Sequence, residues 1–442
     1  MRTTYYKPPN WLTGINCFLF ILMTSISILP DAIFLRNISL IFGAMIGVYL
    51  IYRNRYIFSI KNSSSLIALC FLFAWILAHY FFFAEDPKAQ FQELSSVWKR
   101  VFLSFIFAIG LGLSIPMASK NNKALVVLGF AATTIIFYLR YCIDFFGFNS
   151  LPNYLAINYF IPDGRGYIPK YHFTVFIMPF IGLIYCFLFS NNFSKFRYKS
   201  IISSMAIFSL FGTFYIFYII ENKNGVLDFL IISFSFLVLI FIDSSKKLKL
   251  SFYVVIIGTA VAITPLIYLH VKSQPTLFTL LVDTKAALDF EHNNHWKYVG
   301  KQGYPLNEYG TTVGVSTYER VAWAVKGVEV IIQNPLGYGL VSNSFGYLAK
   351  RSWPDSTLNH THSGWVDLGL AFGVPGLLLI LFPLFMTIRS CIYKNSLYAK
   401  AGVWVLASIT LVFMTSEAAE RILLDYLIFL IAFFSAVSIN AD

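Results

Sequence analysis

Long apolar runs, interrupted by short polar turns, dominate the chain from end to end. A helix needs about 20 apolar residues to cross roughly 30 Å of hydrocarbon, and about twelve stretches meet that requirement. They are 11–30, 33–52, 65–84, 101–117, 124–143, 171–190, 200–220, 225–243, 250–270, 364–388, 399–416 and 420–439. They are too long, and alternate too weakly, for barrel strands of about ten residues. The first follows Met1–Asn10 without a small-residue cleavage site, so it reads as a retained anchor. The pattern predicts an all-α polytopic membrane protein.

Orientation follows from the basic residues of the short connections. With the N-terminus inside, the inner connections carry Arg2 and Lys7, then Arg53, Arg55 and Lys61, then Lys120 and Lys123. Lys195, Arg197 and Lys199 follow, then Lys246, Lys247 and Lys249, then Arg389, Lys394 and Lys400. Every second connection is basic, which predicts both termini in the cytoplasm. The exception is the loop after the third span, where Lys88, Lys99 and Arg100 accompany Glu85, Asp86 and Glu93.

Composition supports this. Charged residues are 12% and hydrophobic ones 57%, against about 25% charged in a soluble domain. The net charge of +12 is spread over inner loops, so it reads as a topology determinant and not as a nucleic-acid footprint. Cys17, Cys70, Cys142, Cys186 and Cys391 lie in or beside spans and read as small apolar residues.

The chain therefore divides into spans one to nine (1–270), a large outer loop subdomain with short helices (271–363) and spans ten to twelve (364–442). Within the loop, Tyr318–Lys326 has helical spacing, and Asn334-Pro-Leu-Gly-Tyr-Gly339 ends that helix. A second outer segment, about 145–170, carries Asp163-Gly-Arg165-Gly.

Polar chemistry collects on the outer side. His360-Thr-His362 stands just before span ten; in an extended segment the two imidazoles would share a face. A zinc site would need further ligands, for which His292, His295 or Glu319 are available but nothing demands them. No metal is expected. A titratable imidazole at the membrane surface can instead take a proton from a hydroxyl. Arg320 opens the loop helix, and Lys223 sits in the short turn Glu221–Gly225. Each alone reads as a solvated or snorkelling charge; together they suit a pyrophosphate. Glu417, Glu420 and Arg421 occupy the last outer turn. Asp228 is expensive in lipid and is expected to face the bundle interior. Gly364, Gly369, Gly373 and Gly376 read as a packing stripe.

The stretch His362-Ser-Gly-Trp-Val-Asp-Leu-Gly-Leu-Ala-Phe-Gly-Val-Pro-Gly376 resembles the signature of bacterial O-antigen ligases, within a superfamily that also holds O-antigen polymerases. Arg320, Trp323 and Asn334–Gly339 resemble that family's arginine and PxxGxG segment. The resemblance implies a GT-C-like glycosyltransferase of the inner membrane, with no cofactor, working in the periplasm. Its donor would be undecaprenyl-pyrophosphate-linked O-antigen and its acceptor lipid A-core. His362 would be the general base and Arg320 a pyrophosphate ligand. The family's second arginine is replaced here by Lys223, with Arg165 as a fallback, while His360, Glu417 and Arg421 would support the site. A polymerase with the same donor is the nearest alternative. A protein O-glycosyltransferase of the superfamily usually needs further C-terminal soluble sequence. A transporter would call for repeat symmetry or broken, charged helices, which the sequence does not display.

Overall fold

The computed structural model describes residues 6–27, 32–60, 62–145, 170–189, 199–220, 222–242, 264–265, 268, 272, 278–290, 292–416 and 421–439. Among these there is no β-strand, only one isolated bridge between Leu306 and Thr312. The helices are α1 (Asn10–Ile26), α2 (Ile33–Arg53), α3 (Ser64–Phe82), α4 (Pro87–Glu93), α5 (Lys99–Ser114), α6 (Lys120–Phe145), α7 (Lys170–Phe189), α8 (Lys199–Ile219) and α9 (Lys223–Ile242). After these come α10 (Leu280–Leu288), α11 (Val315–Gln333), α12 (Ser344–Ser352), α13 (Gly364–Tyr393), α14 (Leu397–Thr415) and α15 (Arg421–Ile439).

Eleven of the expected spans coincide with a helix; the ninth, 250–270, lies outside the described residues except at 264–265 and 268. Eight of the helices are long and apolar enough to cross a membrane by length and composition. The chain is an integral membrane protein.

Contacts between helix ends reproduce the alternation expected from the charges. At one end, Asn122 Nδ2 donates to Asn10 O (2.9 Å), Tyr6 N donates to Asn54 Oδ1 (3.1 Å), and Lys123 lies over the Tyr398 ring. At the other, Arg36 Nη1 donates to Ser27 O (3.0 Å), Asn224 Nδ2 to Thr415 O (3.2 Å), and Arg351 pairs with Glu85. Neighbouring spans are thus antiparallel, and His362 belongs to the second end.

Helices α2 and α5 approach closely enough for backbone contact. A Cβ on Gly47 would stand 2.4 Å from Ile106 O, and one on Gly110 would stand 2.4 Å from Gly47 Cα. Lipid offers no hydrophobic drive for helix association, so backbone contact through small residues supplies it by dispersion.

The mixed loop after the third span is not a loop. Asp86 caps α4 through Ala89 N (3.0 Å), Pro87 occupies the first turn, and a π-turn at Leu94–Trp98 carries the helix into α5. Its charges are partly consumed inside the protein. Glu93 accepts from the backbone N–H groups of Val341 and Ser342 (both 2.8 Å), and Arg100 pairs with Asp425 (2.7 Å). That is why this connection departs from the charge alternation.

The segment between α9 and α13 has a core of its own, with Trp296, Tyr318, Trp323, Phe345, Leu358 and Leu370 buried together. Asp283 fixes its floor by accepting from Asn307 Nδ2, Gly314 N and Thr279 Oγ1.

One expectation needs correction: span ten is a broken helix. Phe372 (φ −122°, ψ 15°) and Gly373 (φ 65°, ψ −167°) leave the helical region, and Pro375 starts the second half. Proline suits that position because its missing N–H lies in a first turn. Gly373 is thus more than one of a packing stripe: it supplies a left-handed backbone that a Cβ would strain. The break is filled by the loop ending α11. Tyr338 N donates to Leu370 O (2.8 Å), Gly339 N to Ala371 O (2.5 Å), and Val374 N to Pro335 O (2.8 Å). Trp75 Nε1 of α3 donates to Phe372 O (2.9 Å), and His79 Nε2 donates to Gly337 O (3.3 Å) while Gln90 donates to its Nδ1 (3.2 Å).

Gly373→Ala should test this clamp. The new Cβ would lie 2.1 Å from Pro335 O on top of the φ penalty, whereas Gly303, also at positive φ, has nothing within 4 Å. Strain alone costs about 1–3 kcal/mol. Thermal melts in detergent should show Gly373→Ala losing clearly more stability than Gly303→Ala; equal losses would refute the clamp.

Candidate functional site

His362 is held in an unusual conformation before α13. Its φ is 56°, left-handed, which is uncommon for a residue with a Cβ. The cause lies in the next turn. Asp367, buried in the first turn of α13, accepts from both Thr361 N (3.0 Å) and Thr361 Oγ1 (2.7 Å). Asp367 N in turn donates to Ser363 O (2.9 Å). Thr361 and Ser363 are thereby pinned on either side of the histidine. Because His362 is left-handed, the segment is not extended, and the expectation that His360 and His362 share a face fails.

The imidazole lies flat on an indole. The rings of Trp323 and His362 are 5.2 Å apart and 20° from parallel. Trp323 is fixed by donating Nε1 to Trp296 O (3.0 Å). Gly327, one turn further along α11, leaves room for this approach: a Cβ there would stand 2.4 Å from Val366 Cγ1 and 3.0 Å from Thr361 Cγ2.

Next to Arg320 in the chain, and within electrostatic reach of His362, stands a carboxylate. Glu319 is buried and accepts from Tyr304 Oη (2.6 Å). Burial raises its pKa above the ordinary value of 4.5, while the Tyr304 hydrogen bond and the charges of His362 and Arg320 pull it back. The same contact works in reverse on the phenol, whose pKa is raised by burial first and by Glu319 second. Burial, and then the neighbouring charge of Lys326, lower the pKa of Lys297, whose ammonium lies over Trp296 and Trp353.

Lys223 begins α9 at this same end of the bundle. Its neighbour Asn224 bonds the last turn of α14 at Thr415, and Trp365, three residues after His362, donates to Thr410 O of α14 (3.0 Å). Asp228 is fully buried, as expected for the bundle interior. His360 is half-buried beside Thr361. Arg421 opens α15 with its side chain outside the described residues, and Arg165, Glu417 and Glu420 also lie outside them. His292 pairs with Asp289 (2.5 Å) and His295 meets Gln302 O (3.3 Å), both on exposed loop surface. Among the described residues no three His, Cys, Asp or Glu side chains come together as metal ligands.

Sequence reasoning brought His362 and Arg320 to one end but missed their supports. Asp367 carried a signal, as a carboxylate placed inside an apolar span. Glu319 and Tyr304 carried none, because their pairing spans a loop of irregular structure.

Residues 208–381 match the family model described as O-antigen ligase. That match, over less than half of the chain, supports membership in the O-antigen ligase/polymerase superfamily. The matched segment runs from α8 past the break in α13, and it contains Lys223, Arg320, the Pro335–Gly339 clamp and His362. No curated protein matches the chain significantly. The family supports ligase- or polymerase-type action in O-antigen processing.

Glu319 should make the stability of this region pH-dependent. A carboxyl whose pKa is raised on folding favours the folded state below its ordinary pKa. That contribution is lost as pH rises through the folded value. Detergent melts from pH 4 upward should show this loss in the wild type and a flatter profile in Glu319→Gln. Identical profiles would contradict the burial of an ionisable group here.

Proposed function

We propose that the chain is an O-antigen ligase, an inverting and metal-independent glycosyltransferase of the bacterial inner membrane. It moves O-antigen polysaccharide from undecaprenyl pyrophosphate to a sugar hydroxyl of lipid A-core, in the periplasmic leaflet, with both termini cytoplasmic. The observation that carries the reading is the left-handed His362, stacked on Trp323, on the same helix turn as Arg320 and inside the family match.

The acceptor hydroxyl gives its proton to His362 as its oxygen bonds to the anomeric carbon of the donor sugar. The bond from that carbon to the pyrophosphate oxygen breaks, and its electron pair leaves on the lipid pyrophosphate. Attack opposite the leaving group inverts the anomeric centre. Arg320 offers a bidentate fork to the departing oxyanion and Lys223 a point charge. Fixed cations in a partly dehydrated site stabilise that developing charge without reorganisation. Arg165, His360, Glu417 and Arg421 would complete the pyrophosphate and base surroundings. Glu319 offsets the positive charge that His362 gains on protonation. Trp323 holds the ring plane against rotation, which keeps one ring nitrogen directed at the acceptor.

Loss of the gene should leave lipid A-core without O-chains while lipid-linked polymer accumulates. Core bearing a single repeat unit would instead identify a polymerase and overturn the reading. In a complemented strain, His362→Ala should lower transfer by about 10²–10⁴-fold and Arg320→Ala by roughly 10²–10³-fold, with normal membrane insertion of both. Full ligation by His362→Ala would remove it as the base.

A further inference from the structure

The subdomain between α9 and α13 does not stand wholly above the spans. Helix α11 runs down beside the first half of α13, in the same direction. A Cβ on Gly327 would meet Val366 and Thr361, one on Gly369 would meet Ile331, and one on Gly373 would meet Pro335 O.

Helix α3 gives the depth that α11 reaches. Its 19 residues cover about 28 Å, close to the roughly 30 Å of hydrocarbon, so Phe82 marks the boundary at the end that carries His362. Trp75 Nε1 donates to Phe372 O (2.9 Å) and His79 Nε2 to Gly337 O (3.3 Å). At about 1.5 Å per residue, Trp75 and His79 stand about 10 and 5 Å inside that boundary. Ile331, opposite Gly369, lies about one turn shallower than Phe372 and is still inside.

The outward surface of this half of α11 is apolar. Val328, Ile332 and Leu336 are exposed at helical spacing, Ile332 to 73%. Leu336 adjoins Val374, whose N–H donates to Pro335 O (2.8 Å), and Val374, Leu378 and Phe382 continue the exposed line down α13. One apolar stripe therefore passes from the loop helix onto a membrane span. The polar residues lie on another edge of α11, where Glu329 accepts from both Lys326 (2.7 Å) and Gln333 (3.0 Å).

A contiguous exposed apolar patch marks an interaction or membrane surface, and the lower part of this one belongs to a span. The turn after α11 meets the other requirement of this depth. Irregular backbone within the hydrocarbon layer must be buried in protein with its polar groups paired. The N–H groups of Gly337, Tyr338 and Gly339 donate to Asn334 O, Leu370 O and Ala371 O.

We propose that the second half of α11 and the Pro335–Gly339 turn form a re-entrant membrane segment, whose Val328–Ile332–Leu336 stripe is covered by lipid acyl chains of the leaflet at the His362 end. Part of the segment that reads as an outer loop thus enters the bilayer. The inference does not rest on the transfer reaction above.

The full-length protein would be reconstituted in phosphatidylcholine vesicles containing a phospholipid with a diazirine in its acyl chain, photolysed and mapped by peptide mass spectrometry. Adducts within residues 328–336, alongside those on Leu378 and Phe382, are the expected result, with none around Ser316 in the first turn of α11. Adducts on α13 without any at 328–336 would overturn the proposal, whether water or a second copy of the chain covers the stripe. A second measurement uses a background with the five cysteines replaced. Bimane on Ile332→Cys should emit at shorter wavelength and be quenched by brominated lipid. On Ser316→Cys, about 24 Å up the helix, it should show neither effect. A water-like, unquenched spectrum at position 332 would equally overturn the segment.

Discussion

The arrangement of this end of the molecule depends on how the break in α13 is satisfied. A membrane-spanning helix that loses its backbone hydrogen bonds must recover them from protein, because lipid offers none. Here the freed groups around Ala371–Val374 are met by the backbone of Pro335–Gly339, and α3 holds both through Trp75 and His79. The same loop ends α11. The clamp therefore fixes one end of α11 against the middle of α13, while Trp323 meets His362 at the start of α13. Two attachments on two helices define where Arg320 stands relative to the imidazole. The Pro335–Gly339 segment thus bears on where Arg320 stands relative to His362 through the helices it ties together.

Burial of charge is the second organising constraint. Glu93 caps the chain beyond the clamp, Asp367 bends the backbone at His362, and Glu319 lies within electrostatic reach of His362 and Arg320. In each case the carboxyl is desolvated and answered by named donors or cations.

Much of the architecture was legible in the sequence. Transfer of apolar side chains into lipid is additive along a helix, so the positions of eleven helices could be marked from local hydropathy alone. Their alternation followed from Lys and Arg in the short connections, and the antiparallel contacts agree with it. The exception after span three was visible as an anomaly, but its cause was not. Glu93 and Arg100 have partners roughly 250 to 320 residues away, and nothing local announces them.

For the site, the residue types and their sidedness were determined by sequence: an imidazole before span ten, an arginine on an amphipathic helix and a lysine in a tight turn, all at one end. Tertiary structure decided their geometry. The stacking of His362 on Trp323, the Tyr304–Glu319 hydrogen bond and the filled break at Gly373 arise from contacts between separate segments, while the left-handed His362 is held from the next turn. Hydropathy and spacing measure what one helix wants from its solvent. They carry no information about which second segment will supply the hydrogen bonds that a broken helix or a buried charge requires.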